Sequence, residues 1–442
     1  MANKSLSGQL KDKLIQQALE RKLKKNEQSE LPVINPLQTT RVDIPESLYR
    51  FDQHAGYKQM QIMHKGATQL GIPSPFFRIH DGIAAATTEI GGRQYINYAS
   101  YNYLGLSGDA RVSNAAIEAV QRYGTSVSAS RLVSGERPIH RQLEAAIAET
   151  YGVDDAIVMV SGHATNVTTI GYLFGARDLI LHDELIHNST LIGAQLSGAR
   201  RLSFPHNDYN ALDKLLSEQR RNYERVLIVI EGLYSMDGDF PDLPRFIELK
   251  NRHRAFLMVD EAHSFGVMGE NGLGIREHFA IEGKAVDIWM GTLSKSLAGC
   301  GGFIAGESAL VEHLKFLAPG FLYSVGMPPQ VAAPALAALN IIRNEPQRVK
   351  QLQARSQYFL TKAKAAGIDT GHSQGIAIIA AITGSSISAA RLSQALFERG
   401  INVQPILYPA VPEKSARLRF FICSDHTEEQ IDFTIQAYCQ EQ

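Results

Sequence analysis

A chain of 442 residues, 44% hydrophobic and 20% charged, has the make-up of an ordinary globular protein too long for one small core, so two domains with appendages are expected. Its formal net charge of −1 argues against wholesale binding to nucleic acid or to an anionic membrane. No window approaches about eighteen consecutive apolar residues, so no integral membrane segment is expected. The three cysteines, Cys300, Cys423 and Cys439, show neither metal-ligand spacing nor a paired framework, and read as reduced thiols of a cytoplasmic protein with no metal site.

The first thirty or so residues lack the apolar core of a signal peptide. Leu6, Leu10, Leu14, Ala18 and Leu19 instead recur at helical spacing among Lys, Gln and Glu. This predicts an amphipathic helix that docks on the protein's own body, a second subunit or a carrier protein. Pro32, Pro36 and Pro45 then predict an extended arm. A helix is expected over Gln53–Leu70, stopped by Gly71, followed by short strands at Phe76–Ile79, Ala84–Thr88 and Gln94–Tyr98 with a turn at Gly91-Gly92. An aromatic loop, Tyr101–Leu106, whose tyrosines read as packing, precedes a helix near Asp109–Tyr123. Beyond Gly124 the apolar runs Ala156–Val160, Asp178–Leu181, Val226–Ile230, Phe256–Val259 and Ile288–Met290 alternate with helical segments. Such spacing predicts an α/β fold with a mostly parallel sheet covered on both faces. A helical stretch of about Gln330–Ala366 leads to a smaller α+β unit with the apolar run Ile376–Ile382, a helix Ser388–Arg399 and a strand Arg417–Cys423. The expected division is an arm over 1–50, an N-terminal segment over 51–100, a large domain over 101–330, and a linking helix with a small C-terminal domain over 331–442.

The chemistry gathers around Lys295. Thr292 and Ser294 precede it, and the Gly299–Gly302 tail behind it lets backbone approach closely. An amine that condenses with a carbonyl needs such room, and hydroxyls can donate to a phosphate. A lysine in a Ser/Gly loop is, by itself, more often a surface residue. Here, however, Asp260-Glu261-Ala262-His263 ends the apolar run Ala255–Val259, so a carboxylate and a histidine lie at the carboxyl end of a buried strand. Open α/β sheets place ligands there. Other strand ends carry Ser161-Gly162-His163, whose backbone amides can hold a phosphate at a helix start, then His187, and then Ser235 as a donor. A lysine for an aldehyde, an aspartate for a ring nitrogen and hydroxyls for a phosphate describe a pyridoxal 5'-phosphate (PLP) site. Cys300 is expected to serve small-residue packing.

The pieces Asn102–Gly105, Ser130–Gly135, His140–Glu144, Ser161-Gly162, His206–Asp208, Glu231–Asp239, Asp260–His263, Thr292–Lys295, Tyr408–Pro412 and Ala416–Arg419 follow one another in a telling order. Over roughly residues 75–435 the chain resembles the α-oxoamine synthase family of PLP-dependent fold-type I enzymes. The resemblance implies a large domain with a mostly parallel seven-stranded sheet and a smaller C-terminal α+β domain. It implies catalytic roles for Lys295, His187, Asp260 and His263. Lys295 would bind PLP and move the substrate proton, Asp260 would pair with the ring nitrogen, His263 would sit near the phenolic oxygen, and His187 would stack on the ring. Gly162, His163, Ser235, Thr292 and Ser294 would complete the cofactor site, with Ser324 reaching the phosphate of a partner subunit in a homodimer. Arg419, with Asn102, would bind the amino acid, a planar guanidinium being suited to forked recognition of a carboxylate. The implied reaction is decarboxylative condensation of a small amino acid with an acyl thioester, carried by CoA or a carrier protein, to an α-amino ketone. An aminotransferase would share the lysine and aspartate but not need the Ser130–Gly135 and Glu231–Asp239 runs. A catalytically silent scaffold would not need Lys295, Asp260, His263, His187 and Arg419 together. Gly272-Leu273-Gly274, His163 and Cys300 depart from the family's usual pattern and leave both substrates open.

Overall fold

The computed structural model describes residues 44–442 and, before them, Gln17. The predicted N-terminal amphipathic helix and most of the arm lie outside the described residues. The chain divides into two compact units, Met1–Arg78 and Ile79–Gln442.

In the first unit a helix runs over Ala55–Gln69. The His54 ring nitrogen accepts from the Gly56 amide at 3.2 Å, capping its start, and Gly71 at φ +66° ends it. The strand expected at Phe76–Ile79 is absent: Phe77 sits at φ +59°, a left-handed conformation that breaks an extended run.

The second unit opens with β1 (His80–Asp81), β2 (Thr87–Ile90) and β3 (Arg93–Asn97). Gly91 and Gly92, both at positive φ, make the hairpin turn between β2 and β3. There follow β4 (Asp155–Met159), β5 (Leu179–Asp183), β6 (Arg200–Phe204), β7 (Val226–Glu231), β8 (Phe256–Asp260), β9 (Ile288–Thr292) and β10 (Gly302–Gly306). These seven strands form one sheet in the order β4-β10-β9-β8-β7-β5-β6. All neighbouring pairs are parallel except those of β10, which runs antiparallel to both β4 and β9. Residues alternate strictly between two apolar clusters: Ile228, Ile230, Leu257 and Val259 enter one, while Leu227, Val229 and Met258 enter the other. Both faces are therefore covered, and the β7 run, buried at every residue, needs no polar side.

Two strands of this seven-stranded sheet escaped the sequence pattern. β6 is the polar edge strand Arg200-Arg201-Leu202-Ser203-Phe204, and β10 is a glycine-bounded run. The helical stretch expected at about 330–366 is two helices, Pro329–Asn344 and Pro346–Ala365. Pro346, which has no N–H to continue the first, starts the second.

Toward the C-terminus come β11 (Ile378–Ile382), β12 (Ile401–Asn402), β13 (Gln404–Ile406) and β14 (Arg417–Phe421). The order β11-β14-β13 makes a three-stranded antiparallel sheet, while β12 instead adds in parallel to β3. Successive residues of β14 alternate faces. Leu418 and Phe420 are fully buried, and Arg417 and Arg419 share the other side.

Candidate active site

The carboxyl ends of β4, β8 and β9 converge, and glycines permit it. A Cβ on Gly162 would lie 2.8 Å from Thr292 Oγ1, and one on Gly291 would lie 2.2 Å from the Phe303 ring. Ser161 starts the helix Gly162–Leu173, its Oγ accepting from the Ala164 amide at 3.3 Å. The amides of Gly162 and His163 are left without intrahelical acceptors. Thr292 Oγ1 donates to the Gly301 carbonyl at 2.9 Å and accepts from the Ser294 amide at 3.2 Å, while Ser294 Oγ accepts from the Gly301 amide at 3.4 Å. These bonds staple the turn that presents Lys295.

The Lys295 amine lies 5.4 Å from the centre of the Tyr101 ring. Burial lowers its pKa to about 8; Asp260 and Glu231 oppose that shift, and Arg419 adds to it. Near neutral pH, a usable fraction of the amine is therefore unprotonated and nucleophilic. Asp260, 4% exposed, accepts from Asn166 Nδ2 at 2.9 Å and from the Ala262 amide at 3.0 Å. The β7–β8 register sets Glu231 beside it. Burial, and then the adjacent Asp260 carboxylate, push Glu231 well above the usual carboxylate range.

The His263 Nδ1 is 2.8 Å from Tyr103 Oη, with Tyr101 edge-on at 5.9 Å and Phe421 parallel at 6.2 Å. Burial, then Lys295 and Arg419, hold His263 well below its ordinary pKa, so the ring is neutral. His187 is likewise lowered, by burial first and by Lys295, with Asp260 opposing. His163 meets His187 edge-on at 6.3 Å. Arg419 Nη1 donates to the Ser235 carbonyl at 3.1 Å, and the guanidinium carbon stands 4.6 Å from the Phe421 ring centre. Its Nε is buried with no hydrogen bond among the described residues.

The structure thus gathers Lys295, Asp260, His263, His187, His163, Gly162, Thr292, Ser294 and Arg419, with Ser235 on the adjoining turn. Asn102 has its amide engaged at both ends, donating to the Ala84 carbonyl at 3.3 Å and accepting from the Ser107 amide at 3.2 Å. Ser324 donates to its neighbour Val325 on an exposed segment. Cys300, expected to pack, is exposed, its thiol 3.9 Å from the Val160 carbonyl. Sequence reasoning gave no role to Asn166, Glu231 or Tyr103. For Asn166 the available signal was its spacing, one helical turn beyond Gly162 on the same face.

A second cluster braces the turn that carries Ser235. His206 Nδ1 is 2.9 Å from Asp183 and Nε2 is 2.8 Å from Asp239, while Asn207 donates to both carboxylates. Burial alone would lower the His206 pKa, but the two aspartates raise it to about 10 from 6.5. The sign follows from linkage: a raised folded pKa stabilises fully below pH 6.5, and the contribution fades as pH climbs through about 10. Its size is on the order of a few kcal/mol. Thermal-unfolding midpoints taken from pH 6 to about 10 should fall more steeply in the wild type than in His206→Gln. Parallel curves would remove His206 from the brace.

PLP fits this residue set. The amine is tuned for carbonyl condensation, the neighbouring carboxylate is buried and held by donors, and open helix amides lie beside a glycine whose Cβ would collide. Lys295 would hold the aldehyde end, Asp260 the ring nitrogen, and Gly162, His163, Thr292 and Ser294 the phosphate. Comparison with known proteins points the same way. The profile described as "Aminotransferase class I and II" matches residues 93–437. The 8-amino-7-oxononanoate synthase of Symbiobacterium thermophilum is 40% identical over 351 residues, 79% of this chain and 89% of that protein. A solved structure of serine palmitoyltransferase with its PLP internal aldimine superposes with a TM-score of 0.84 at 28% identity, covering 88% of this chain and 97% of that one. The Sphingomonas wittichii serine palmitoyltransferase gives 0.83 at 29%, covering 87% and 97%.

Sheet, lysine and cradle together define a PLP-dependent enzyme of fold type I. Within that class the chain belongs to the α-oxoamine synthase family. It is an acyltransferase that condenses an amino acid with an acyl thioester, with decarboxylation. No helix among the described residues is long and apolar enough to cross a membrane.

Proposed function

We propose that the amino acid is a small one, and that its acyl partner is delivered as a thioester of CoA or of a carrier protein's phosphopantetheine in the cytoplasm. The observation that carries this reading is Arg419, whose buried Nε has no hydrogen-bond partner among the described residues and whose charge is felt at both Lys295 and His263. A guanidinium so placed offers a fork to an α-carboxylate beside the lysine. Bound PLP supplies the electron sink for carbanion chemistry at the α-carbon. Lys295 Nζ would take the α-proton, Asp260 would hold the ring nitrogen, and the neutral His263 and His187 would line the cofactor's place. Ser235 and Asn102 complete the first subunit's site.

The protein acts as a homodimer in this reading, Ser324 of each subunit serving the phosphate of the other. Supporting this, Tyr323 and Val325 beside it, and Leu132 and Val133, are apolar and 82%, 50%, 53% and 79% exposed. The chain over 101–330 would form the cofactor domain and that over 331–442 the small domain.

The test supplies a panel of glycine, alanine and serine with acyl-CoA or acyl-carrier protein to the holoenzyme, following free thiol and CO₂. Thiol and CO₂ released in equal amounts, only when one small amino acid is present, are expected. A keto acid formed without thiol release would overturn the reading in favour of transamination.

A further inference from the structure

Helix Gly162–Leu173 and helix Asn188–Ser197 meet behind the site, and a polar chain crosses between them. Asn166 Nδ2 donates to Asp260 Oδ2 at 2.9 Å and to Ser189 Oγ at 2.9 Å. Ser189 Oγ in turn lies 2.7 Å from His187 Nδ1. Asn166 and Ser189 are both buried, at 1% and 0% exposed.

The direction of each bond follows from chemistry. A carboxylate only accepts, so the amide must turn its NH₂ toward Asp260, and both its hydrogens are then used. Asn166 Oδ1, on the far side, has no partner among the described residues, which agrees with that orientation. Ser189 Oγ accepts from the amide, so its own proton is free to donate to His187 Nδ1. The Ser189 backbone amide also points at Nδ1, at 3.3 Å, because His187 caps the helix Asn188–Ser197. Two donors converge on one ring nitrogen, so that nitrogen cannot carry a proton.

We propose that Asn166 and Ser189 are positioning residues that tie the Asp260 carboxylate to His187 and lock His187 as the tautomer protonated at Nε2. The proposal rests on the reading that Asp260 and His187 both face the cofactor. The relay explains why a polar amide and a hydroxyl are kept in a dry interior: each satisfies the next, and the last fixes which nitrogen of the ring donates toward the site. The charged and titratable groups around His187 are Asp260, Lys295, His163 and Arg419, and burial together with the cations keeps the ring neutral against the pull of Asp260. Glu231 accepts from the His187 backbone amide and so anchors the same turn.

The experiment reads the ring directly. Holoenzyme labelled with ¹⁵N-histidine, with His187 assigned by difference from His187→Gln, should show an unprotonated Nδ1 and a protonated Nε2 in the wild type. Ser189→Ala should mix the tautomers and raise the pH at which the ring protonates, whereas Ser189→Thr, which keeps the hydroxyl, should restore the wild-type pattern. Asn166→Ala should loosen cofactor retention on dialysis by about 10- to 100-fold, the loss of a hydrogen bond to a charged group. A protonated Nδ1 in the wild type would overturn the relay whether or not the Ser189 and Asn166 variants fold. So would a Ser189→Ala ring spectrum identical to wild type alongside a fall in turnover, because that fall would then be structural. The ring signal is recorded with no substrate present, so its outcome is separate from that of the substrate assignment.

Discussion

Lys295→Ala should lower turnover by at least about 10⁴-fold, because positioned proton transfer alone contributes up to that factor and the covalent hold is lost with it. The mutation should not disturb the fold. The turn is stapled by Thr292, Ser294 and Gly301, none of which bonds the lysine side chain. Thiol release on adding acyl thioester and amino acid is the measurement, with circular dichroism as the check on folding. Turnover within tenfold of wild type would remove Lys295 from the chemistry.

Asp260→Asn should cost about 10²–10³-fold in kcat, the scale of losing a preorganised electrostatic partner in a dry site. The replacement keeps the shape but presents an amide where Asn166 already donates, so one of the two Asp260 contacts must be given up. Removing the neighbouring negative charge should also lower the Glu231 pKa, since Asp260 is, after burial, the cause that raises it. The pH at which Glu231 titrates should therefore be lower in the variant than in the wild type. An unchanged kcat with unchanged cofactor affinity would sink the pairing of Asp260 with the ring nitrogen.

What could be read from the residues was what burial forces into a pattern. The β7, β8 and β9 runs are apolar because both faces are covered, and their polar termini stood out for that reason. β6 was invisible because an edge strand is free to be polar, and Arg200 and Arg201 are exposed. β10 hid between glycines that look like loop residues, although Gly291 and Gly302 are needed so that strands can close on a phenylalanine ring and on the helix at Gly162. Lys295 and Asp260 were legible as chemistry because a lysine and an aspartate at strand ends have few structural excuses. Asn166 was not, since a single asparagine within a helix carries no mark of what it faces until the helix is packed. Tyr103 reads as packing for the same reason, yet its hydroxyl reaches His263.

The amine and its carboxylate sit on one seven-stranded scaffold, whereas Arg419 rides on β14 of a separate three-stranded one. Sliding one scaffold past the other would alter the spacing between guanidinium and amine without touching the spacing between amine and carboxylate. Grip on the incoming molecule and readiness for proton removal are thus mechanically separable. The Arg417–Asp237 ion pair at 2.7 Å and the bond from Arg419 to the Ser235 carbonyl both join β14 to the turn beyond β7, and both resist such sliding.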